Sequence, residues 1–89
     1  MKFFVYLIIT NGVKKISYVG YTNNIKKRLK LHNSSKGAKF TRGRKWKLIY
    51  FKTYEKKSIA MKEEYKLKKN YILRKKIKFR NENINITSI

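Results

Sequence analysis

The chain contains no cysteine, no proline and no aspartate. Without cysteine, disulfide bonds and thiolate metal sites are excluded, and the sequence does not indicate a redox compartment. The absence of proline agrees with a single compact unit that has no proline-rich linker. No apolar run approaches the ~18 residues that a membrane-spanning helix needs. The apolar N-terminal segment is short and ends in an Asn-Gly turn, so it is interpreted as a strand and not as a signal peptide.

Acidic side chains are nearly absent as well. Four glutamates face 25 lysines and arginines, which gives a formal net charge of +21. A surface of this charge attracts polyanions, and we expect salt-dependent nucleic-acid binding. The expected location is the cytoplasm, including the nucleoid, where nucleic acid is found. Charge alone does not separate an enzyme from a passive binder.

What is present indicates a folded α/β domain of the α+β type, because 42% of the residues are hydrophobic and 15% are aromatic. Strand patterns cover residues 3–10, 14–21 and 46–54, and the first two are joined at an Asn-Gly hairpin signal. An asparagine-capped helix is predicted over 23–33, and a long helical pattern starts at Ser58. This order predicts a three-stranded, mainly antiparallel sheet flanked by helices.

The length of 89 residues allows one hydrophobic core. We therefore expect a single domain over residues 1–80. The long helical pattern is expected to break near Asn70. Residues 81–89 show no clear period and are expected to form a C-terminal tail.

Glu64 is the carboxylate that stands out. Enzymes that hydrolyse phosphodiesters usually need a divalent cation with oxygen ligands. Glu64 shares a helix face with Ala60 and Leu67, so it is predicted to point toward the sheet. Glu63 lies about 100° away, on a face with basic residues. The alternative is that Glu64 is a boundary residue paired with a lysine.

Arg28 and His32 are four residues apart and share one face of the first predicted helix. Arginine binds phosphate through two parallel hydrogen bonds, and histidine transfers protons near neutral pH. Ile25 and Leu29 border this face, so we expect the pair at the edge of the core. This spacing also occurs in ordinary surface pairs.

Tyr6 and Tyr18 lie on the two strands of the predicted hairpin. With a strict two-residue turn, Tyr6 would oppose Ser17 and the two tyrosines would face opposite sides of the sheet. With a three-residue loop and a bulge, Tyr6 would lie directly opposite Tyr18, and both hydroxyls would leave the same face. The sequence leaves both registers open, and a joint site requires the second.

The loop after the first helix has the densest positive charge in the chain. Its glycine, serine and threonine residues suggest an irregular segment, and its cations are candidate nucleic-acid ligands. These cations are Lys36, Lys39, Arg42, Arg44, Lys45 and Lys47.

Together, these residues resemble the GIY-YIG nuclease superfamily over residues 3–78. The segments that carry the resemblance are FVYLI, SYVGYT, KKRLKLHN, GAKFTRGRKWKLIYF and AMKEEYKLKK, in this order. The closest similarity is to small stand-alone bacterial members and to the nuclease domain of structure-specific endonucleases. Phe4 replaces the glycine of the first motif, and Tyr21 follows the second motif where some relatives have lysine.

The resemblance implies a DNA endonuclease that hydrolyses phosphodiester bonds with one divalent metal ion. Glu64 would hold Mg²⁺ or Mn²⁺, and Arg28 would bind the scissile phosphate. Tyr6 and Tyr18 would position or deprotonate the water, and His32 would assist proton transfer. Gly20 would let the backbone pass close to the site. Some members also use a late asparagine, for which Asn70, Asn81 and Asn83 are candidates.

Family members often gain specificity from an attached recognition domain. A chain of this length would therefore cut by DNA shape, at branched or nicked sites in repair or recombination, or be targeted by a protein partner. One alternative is a non-catalytic nucleic-acid-binding protein with the same fold. Another is a small RNA-associated basic protein, which matched RNA and DNA affinities would distinguish.

Overall fold

The computed structural model describes residues 2–10 and 15–87, with side chains through position 80. The described residues form three strands and three α-helices, and one short 3-10 helix, Lys39–Thr41, precedes the third strand. The strands and α-helices are β1 (Phe3–Thr10), β2 (Ser17–Thr22), α1 (Ile25–Asn33), β3 (Trp46–Tyr54), α2 (Lys57–Lys69) and α3 (Tyr71–Thr87). The predicted α+β class, with one three-stranded sheet flanked by helices, is confirmed.

Strand β1 is the centre of the sheet, in the order β2-β1-β3, and both pairings are antiparallel. A central strand with helices on both faces buries alternate side chains in both directions, which explains the nearly continuous apolar run of β1. Val5 through Thr10 are all buried. Among the described residues, no helix is both long and apolar enough to cross a membrane.

The two faces of the sheet support separate hydrophobic clusters. On one face Val5, Leu7 and Val19 pack with Ala60 and Leu67 of α2. On the other face Tyr6, Ile8 and Trp46 are buried, and Leu29 of α1 packs against them. Side chains alternate between these faces along β1, so Tyr6 is directed into the cluster that α1 covers.

The register of the hairpin differs from both registers considered from the sequence. Tyr6 pairs with Gly20, and Tyr18 pairs with Ile8. The backbone N–H of Thr10 donates to the carbonyl of Ile16 at 3.0 Å, so residues 11–15 connect the strands. The connection is therefore longer than either predicted turn, and the Asn-Gly dipeptide itself lies outside the described residues. Because the shift from the second register is an even number of residues, both tyrosines still share a face.

The helix boundaries follow from local capping. Asn24 precedes α1, and its side-chain oxygen accepts from the N–H of Lys27 at 3.1 Å. Asn70 separates α2 from α3, and its Oδ1 accepts from the N–H of Leu73 at 3.0 Å. Both ends agree with the sequence pattern. Helix α3 continues to Thr87, into the 81–89 segment for which the pattern predicted no regular element.

Candidate active site

Tyr6 lies across the backbone of Gly20, its partner on β2. A Cβ atom at position 20 would be 2.6 Å from Cζ of Tyr6 and would also collide with its hydroxyl. Position 20 must therefore remain glycine for the ring of Tyr6 to keep this orientation. The glycine makes room for the neighbouring tyrosine, which is a more specific role than the close backbone approach expected from the sequence.

A chain of buried hydrogen bonds extends from Tyr6 into the protein. The hydroxyl of Tyr6 is 2.8 Å from Nε2 of His32, and Nδ1 of His32 is 2.8 Å from Oγ1 of Thr41. Oγ1 of Thr41 in turn donates to the carbonyl of Ala38 at 2.8 Å. His32 and Thr41 are both fully buried. From Ile25 and Leu29, the histidine was expected at the edge of the core. In the structure it lies inside the core.

The direction of this chain fixes the tautomer of His32. Thr41 has one hydroxyl proton and donates it to Ala38, so its oxygen accepts from the Nδ1–H of His32. In a neutral imidazole Nε2 is then the acceptor, and it receives the hydroxyl proton of Tyr6. The unprotonated nitrogen of His32 therefore faces the phenol.

Burial keeps both members of the pair neutral near pH 7. Burial raises the pKa of Tyr6 to about 12, and hydrogen bonding and charge from Arg28 partly oppose the shift. Tyr18 and Glu64 add smaller contributions that raise the Tyr6 pKa further. Burial also lowers the pKa of His32, and the positive charge of Arg28 lowers it further. A protonated phenol thus donates to a neutral imidazole.

Arg28 is close enough to interact electrostatically with both Tyr6 and His32. Its Nε atom is buried and has no hydrogen-bond partner among the described residues. Buried polar groups of proteins are usually paired. The guanidinium therefore retains a donor that none of the described residues accepts from.

Glu64 is largely buried on α2, with 16% of its side chain exposed, and its Oε1 is 3.0 Å from Nζ of Lys68. It thus faces inward, as predicted, and is also paired with a lysine. Glu63 points elsewhere, with Oε2 at 3.4 Å from Nζ of Lys66. Among the described residues, no three histidine or carboxylate side chains form a metal-binding group. Mg²⁺ is commonly held by one or two carboxylates together with substrate phosphates, and the single carboxylate of Glu64 fits that kind of site.

Tyr18 reaches the site through its ring. Its centroid is 5.3 Å from that of His32 in an edge-to-face contact, and 6.1 Å from that of Phe40 in a stacked contact. Such geometries are favourable for aromatic pairs. The structure thus brings together Tyr6, Tyr18, Arg28 and His32. Glu64 is linked to this group only through its negative charge, which contributes to the raised pKa of Tyr6.

The basic loop forms one wall beside this group. Lys36, Lys39, Arg42, Arg44 and Lys45 are exposed, and Lys47 is half-buried in β3. Sequence reasoning did not select Phe40, which is 53% exposed. The guanidinium carbon of Arg44 lies over its ring, 5.6 Å from the ring centroid. An exposed aromatic among cations suits stacking against a nucleic-acid base.

Two further residues that the sequence analysis missed hold the loop in place. The side chain of Asn33, at the end of α1, donates to the carbonyl of Trp46 at 3.1 Å. The indole N–H of Trp46 donates to the carbonyl of Thr41 at 3.0 Å. These bonds connect positions 5 to 13 residues apart, so no local pattern could have revealed them. The GAKFT segment, which contains Gly37, Ala38 and Thr41, was the part of the sequence that could have drawn attention to this contact region.

Comparison with known protein families shows which class of protein this is, because residues 2–78 match a nuclease-like catalytic domain. The family is that of the GIY-YIG catalytic domain, and the chain belongs to it. This confirms the resemblance read from the motifs.

Relatives of the chain occur in several bacteria. A UPF0213 protein of Clostridium perfringens is 46% identical over 65 residues, 72% of this chain and 70% of that protein. A UPF0213 protein of Oceanobacillus iheyensis is 52% identical over 52 residues, 57% of this chain and 60% of that protein. The solution NMR structure of a UPF0213 protein from Bacillus halodurans is 38% identical and covers 76% of this chain and 71% of its own, with a TM-score of 0.43.

Proposed function

We propose that the protein is a metal-dependent DNA endonuclease that hydrolyses phosphodiester bonds at the site around Tyr6. The observation that supports this most strongly is the buried series of hydrogen bonds from Tyr6 through His32 to Thr41. It lies beside the Nε of Arg28, which has no hydrogen-bond partner among the described residues. Hydrogen bonds that run in this direction leave Nε2 of His32 free to accept the proton of Tyr6, so that Tyr6 can take a proton from water at neutral pH. Hydrolysis requires such a proton transfer.

In the proposed reaction, the Tyr6 oxygen accepts a proton from water while its own proton moves to Nε2 of His32. The hydroxide formed in this way attacks phosphorus, and the bond from phosphorus to the leaving oxygen breaks. The leaving oxygen takes up a proton from solvent, and His32 later returns its extra proton to solvent through Tyr6. A pKa of about 12 makes Tyr6 a poor acid alone. The relay avoids a free phenolate, because the neutral imidazole takes the phenol proton in the same step.

Arg28 would bind a non-bridging oxygen of the scissile phosphate and stabilise the charge that develops on it. Glu64 would hold Mg²⁺ or Mn²⁺, which would supply Lewis-acid stabilisation of the phosphoryl oxygens. Tyr18 would fix the ring of His32 through their edge contact. Phe40 and the basic loop would bind the flanking DNA.

Cleavage assays test the proposal directly. Wild-type protein is incubated with linear, nicked and branched DNA in the presence of Mn²⁺ or Mg²⁺, beside Glu64→Gln and the exposed control Glu55→Gln. We expect cleavage by wild type and by the control, and a loss of at least ~100-fold with Glu64→Gln. A preference for branched or nicked DNA would favour a structure-directed role in repair or recombination. If wild type binds DNA but cuts none of these substrates, the protein is a non-catalytic binder that shares the fold.

A further inference from the structure

A cavity of about 370 Å³ is lined in part by Arg28. It is formed where β1 begins, β2 ends and α2 begins, and the group of residues around it is called here the Arg28–Lys57 cavity. The described residues that line it are Phe3, Tyr21, Thr22, Asn23, Arg28 and Lys57. Since Arg28 also lies against Tyr6, this one side chain joins the cavity to the candidate active site.

The lining of the cavity has the chemistry of an anion site. Arg28 and Lys57 contribute two positive charges, and none of the described lining residues is acidic. Arg28 lines both this cavity and the pocket beside Tyr6, so its guanidinium borders both. A phosphate oxygen is the kind of acceptor that pairs with guanidinium and ammonium donors at such a site.

The start of α2 breaks the usual rules of helix stability. Lys56 and Lys57 occupy its first positions, no acidic residue lies in the first turn, and the Lys56 side chain makes no capping hydrogen bond. Positive charges there oppose the helix dipole, whereas an anion would be stabilised. Rules broken locally without compensation commonly mark functional positions.

We propose that the Arg28–Lys57 cavity binds a second phosphate of the DNA backbone, with Lys57 as its main cationic ligand. This phosphate adjoins the one at Tyr6, so the bound strand runs from the buried tyrosine toward the start of α2. The identity of the neighbouring phosphate as the scissile one rests on the proposed function. Binding of a backbone phosphate in the cavity does not.

The matched variants Lys57→Gln and Lys56→Gln test this assignment. Each removes one positive charge from the start of α2, but only Lys57 lines the cavity. Affinity for a fluorescent duplex is measured in EDTA, where no cleavage occurs, at several salt concentrations. We expect Lys57→Gln to weaken binding roughly tenfold and to reduce the slope of log K against log[salt] by about one. We expect Lys56→Gln to have a much smaller effect, with neither variant lowering the thermal midpoint.

A second measurement locates the anion. Inorganic phosphate is titrated into wild type and both variants, and backbone amide shifts of Lys57, Ser58 and Ile59 are followed by NMR. Saturable shifts in wild type and Lys56→Gln, but not in Lys57→Gln, are expected. Equal DNA affinities and salt slopes for the two variants would overturn the proposal, even if phosphate itself binds. Because the binding assay contains no divalent cation, its outcome is independent of whether the protein cleaves DNA.

Discussion

At the scale of single residues, burial keeps Tyr6 and His32 in the protonation states that the proposed water activation would use. The phenol keeps its proton because burial raises its pKa to about 12. The imidazole remains neutral because burial and Arg28 lower its pKa. Thr41 adds direction to the pair, since its hydroxyl accepts from Nδ1 only while it donates to Ala38. In the proposed relay, the direction of proton transfer from Tyr6 to His32 would therefore be set by Thr41, which contacts the other ring nitrogen of the histidine.

Replacing Thr41 tests this direction. In Thr41→Val the buried Nδ1–H of His32 loses its acceptor, which we expect to cost about 1–3 kcal/mol of stability. The Nε2–H tautomer should then become populated, and cleavage should fall roughly tenfold or more. Thr41→Ser keeps the hydroxyl and should retain both the wild-type tautomer and most of the activity. Imidazole ¹⁵N chemical shifts report the tautomer separately from catalysis, and unchanged shifts in Thr41→Val would refute the assignment.

The lowered pKa of His32 predicts an acid limb in the stability of the fold. The unfolded chain binds a proton at the ordinary pKa of ~6.5, whereas the folded chain binds it only at lower pH. The unfolded state therefore binds more protons below that pH, and stability falls as the pH decreases, by up to ~1.4 kcal/mol per unit.

His32 is the sole histidine in the chain, so no other side chain of this type titrates in that range. Urea unfolding between pH 5 and pH 8 measures the effect. His32→Gln should be less stable at pH 8 but nearly independent of pH over the same interval. An equal pH dependence in the variant would show that other groups are responsible.

At the scale of elements, the sequence predicts what depends on neighbours along the chain. The Asn24 cap, the break at Asn70 and the extent of β3 follow from spacing and from short-range hydrogen bonds. The pairing of Tyr6 with Gly20 could not be predicted, because it depends on the length of the connection over 11–15. The two-residue period preserved the correct face even though the partner was wrong.

The residues of the candidate site also divide into those that local sequence spacing could predict and those that depend on distant contacts. Glu64 could be selected because helix periodicity places it on an inward face. Arg28 and His32 could be selected because the same periodicity puts them together on one helix face at the edge of the core. The roles of Thr41 and Asn33 could not, since Thr41 contacts His32 nine positions away and Asn33 contacts Trp46 thirteen positions away. These bonds exist only after α1, the basic loop and β3 have packed together.

The surroundings of two glycines predict different consequences for their substitution. In Gly20→Ala, the new methyl group would overlap the ring of Tyr6 and displace its hydroxyl from His32. We expect a loss of cleavage of at least tenfold, with the fold retained. Gly43 has a φ of +75° but open space around its Cβ position. Gly43→Ala should therefore cost about 1 kcal/mol of stability through backbone strain, with little effect on cleavage by the folded protein.

Circular dichroism, thermal unfolding and cleavage rates at a temperature where both variants are folded separate these effects. The NMR signals of His32 provide a further check, because only Gly20→Ala should change them. If Gly20→Ala cleaves as fast as Gly43→Ala, the contact between Tyr6 and the Gly20 backbone is not required by the reaction.

At the scale of the whole molecule, a net charge of +21 favours association with polyanions in general. Specific use of that charge requires some cations to contribute more than others. The basic loop is the strongest candidate, because its exposed cations adjoin Phe40 and its backbone is fixed to the Tyr6–His32 pair through Thr41. DNA bound by the loop would thus be positioned relative to the site, whereas DNA bound elsewhere on the surface would not.

Two triple variants of equal charge test that difference. Replacing Arg42, Arg44 and Lys45 with glutamine lowers the net charge by three, and so does replacing the exposed Lys62, Lys75 and Lys76. If the loop contacts phosphates, the first variant should reduce the slope of log K against log[salt] by up to ~2.7, following about 0.9 per duplex phosphate. The second should change the slope much less, because its charges act only through the general field. Fluorescence anisotropy on one duplex across a salt series gives both slopes. Equal losses in the two variants would mean that the loop has no privileged role, and that the whole surface binds DNA through net charge alone.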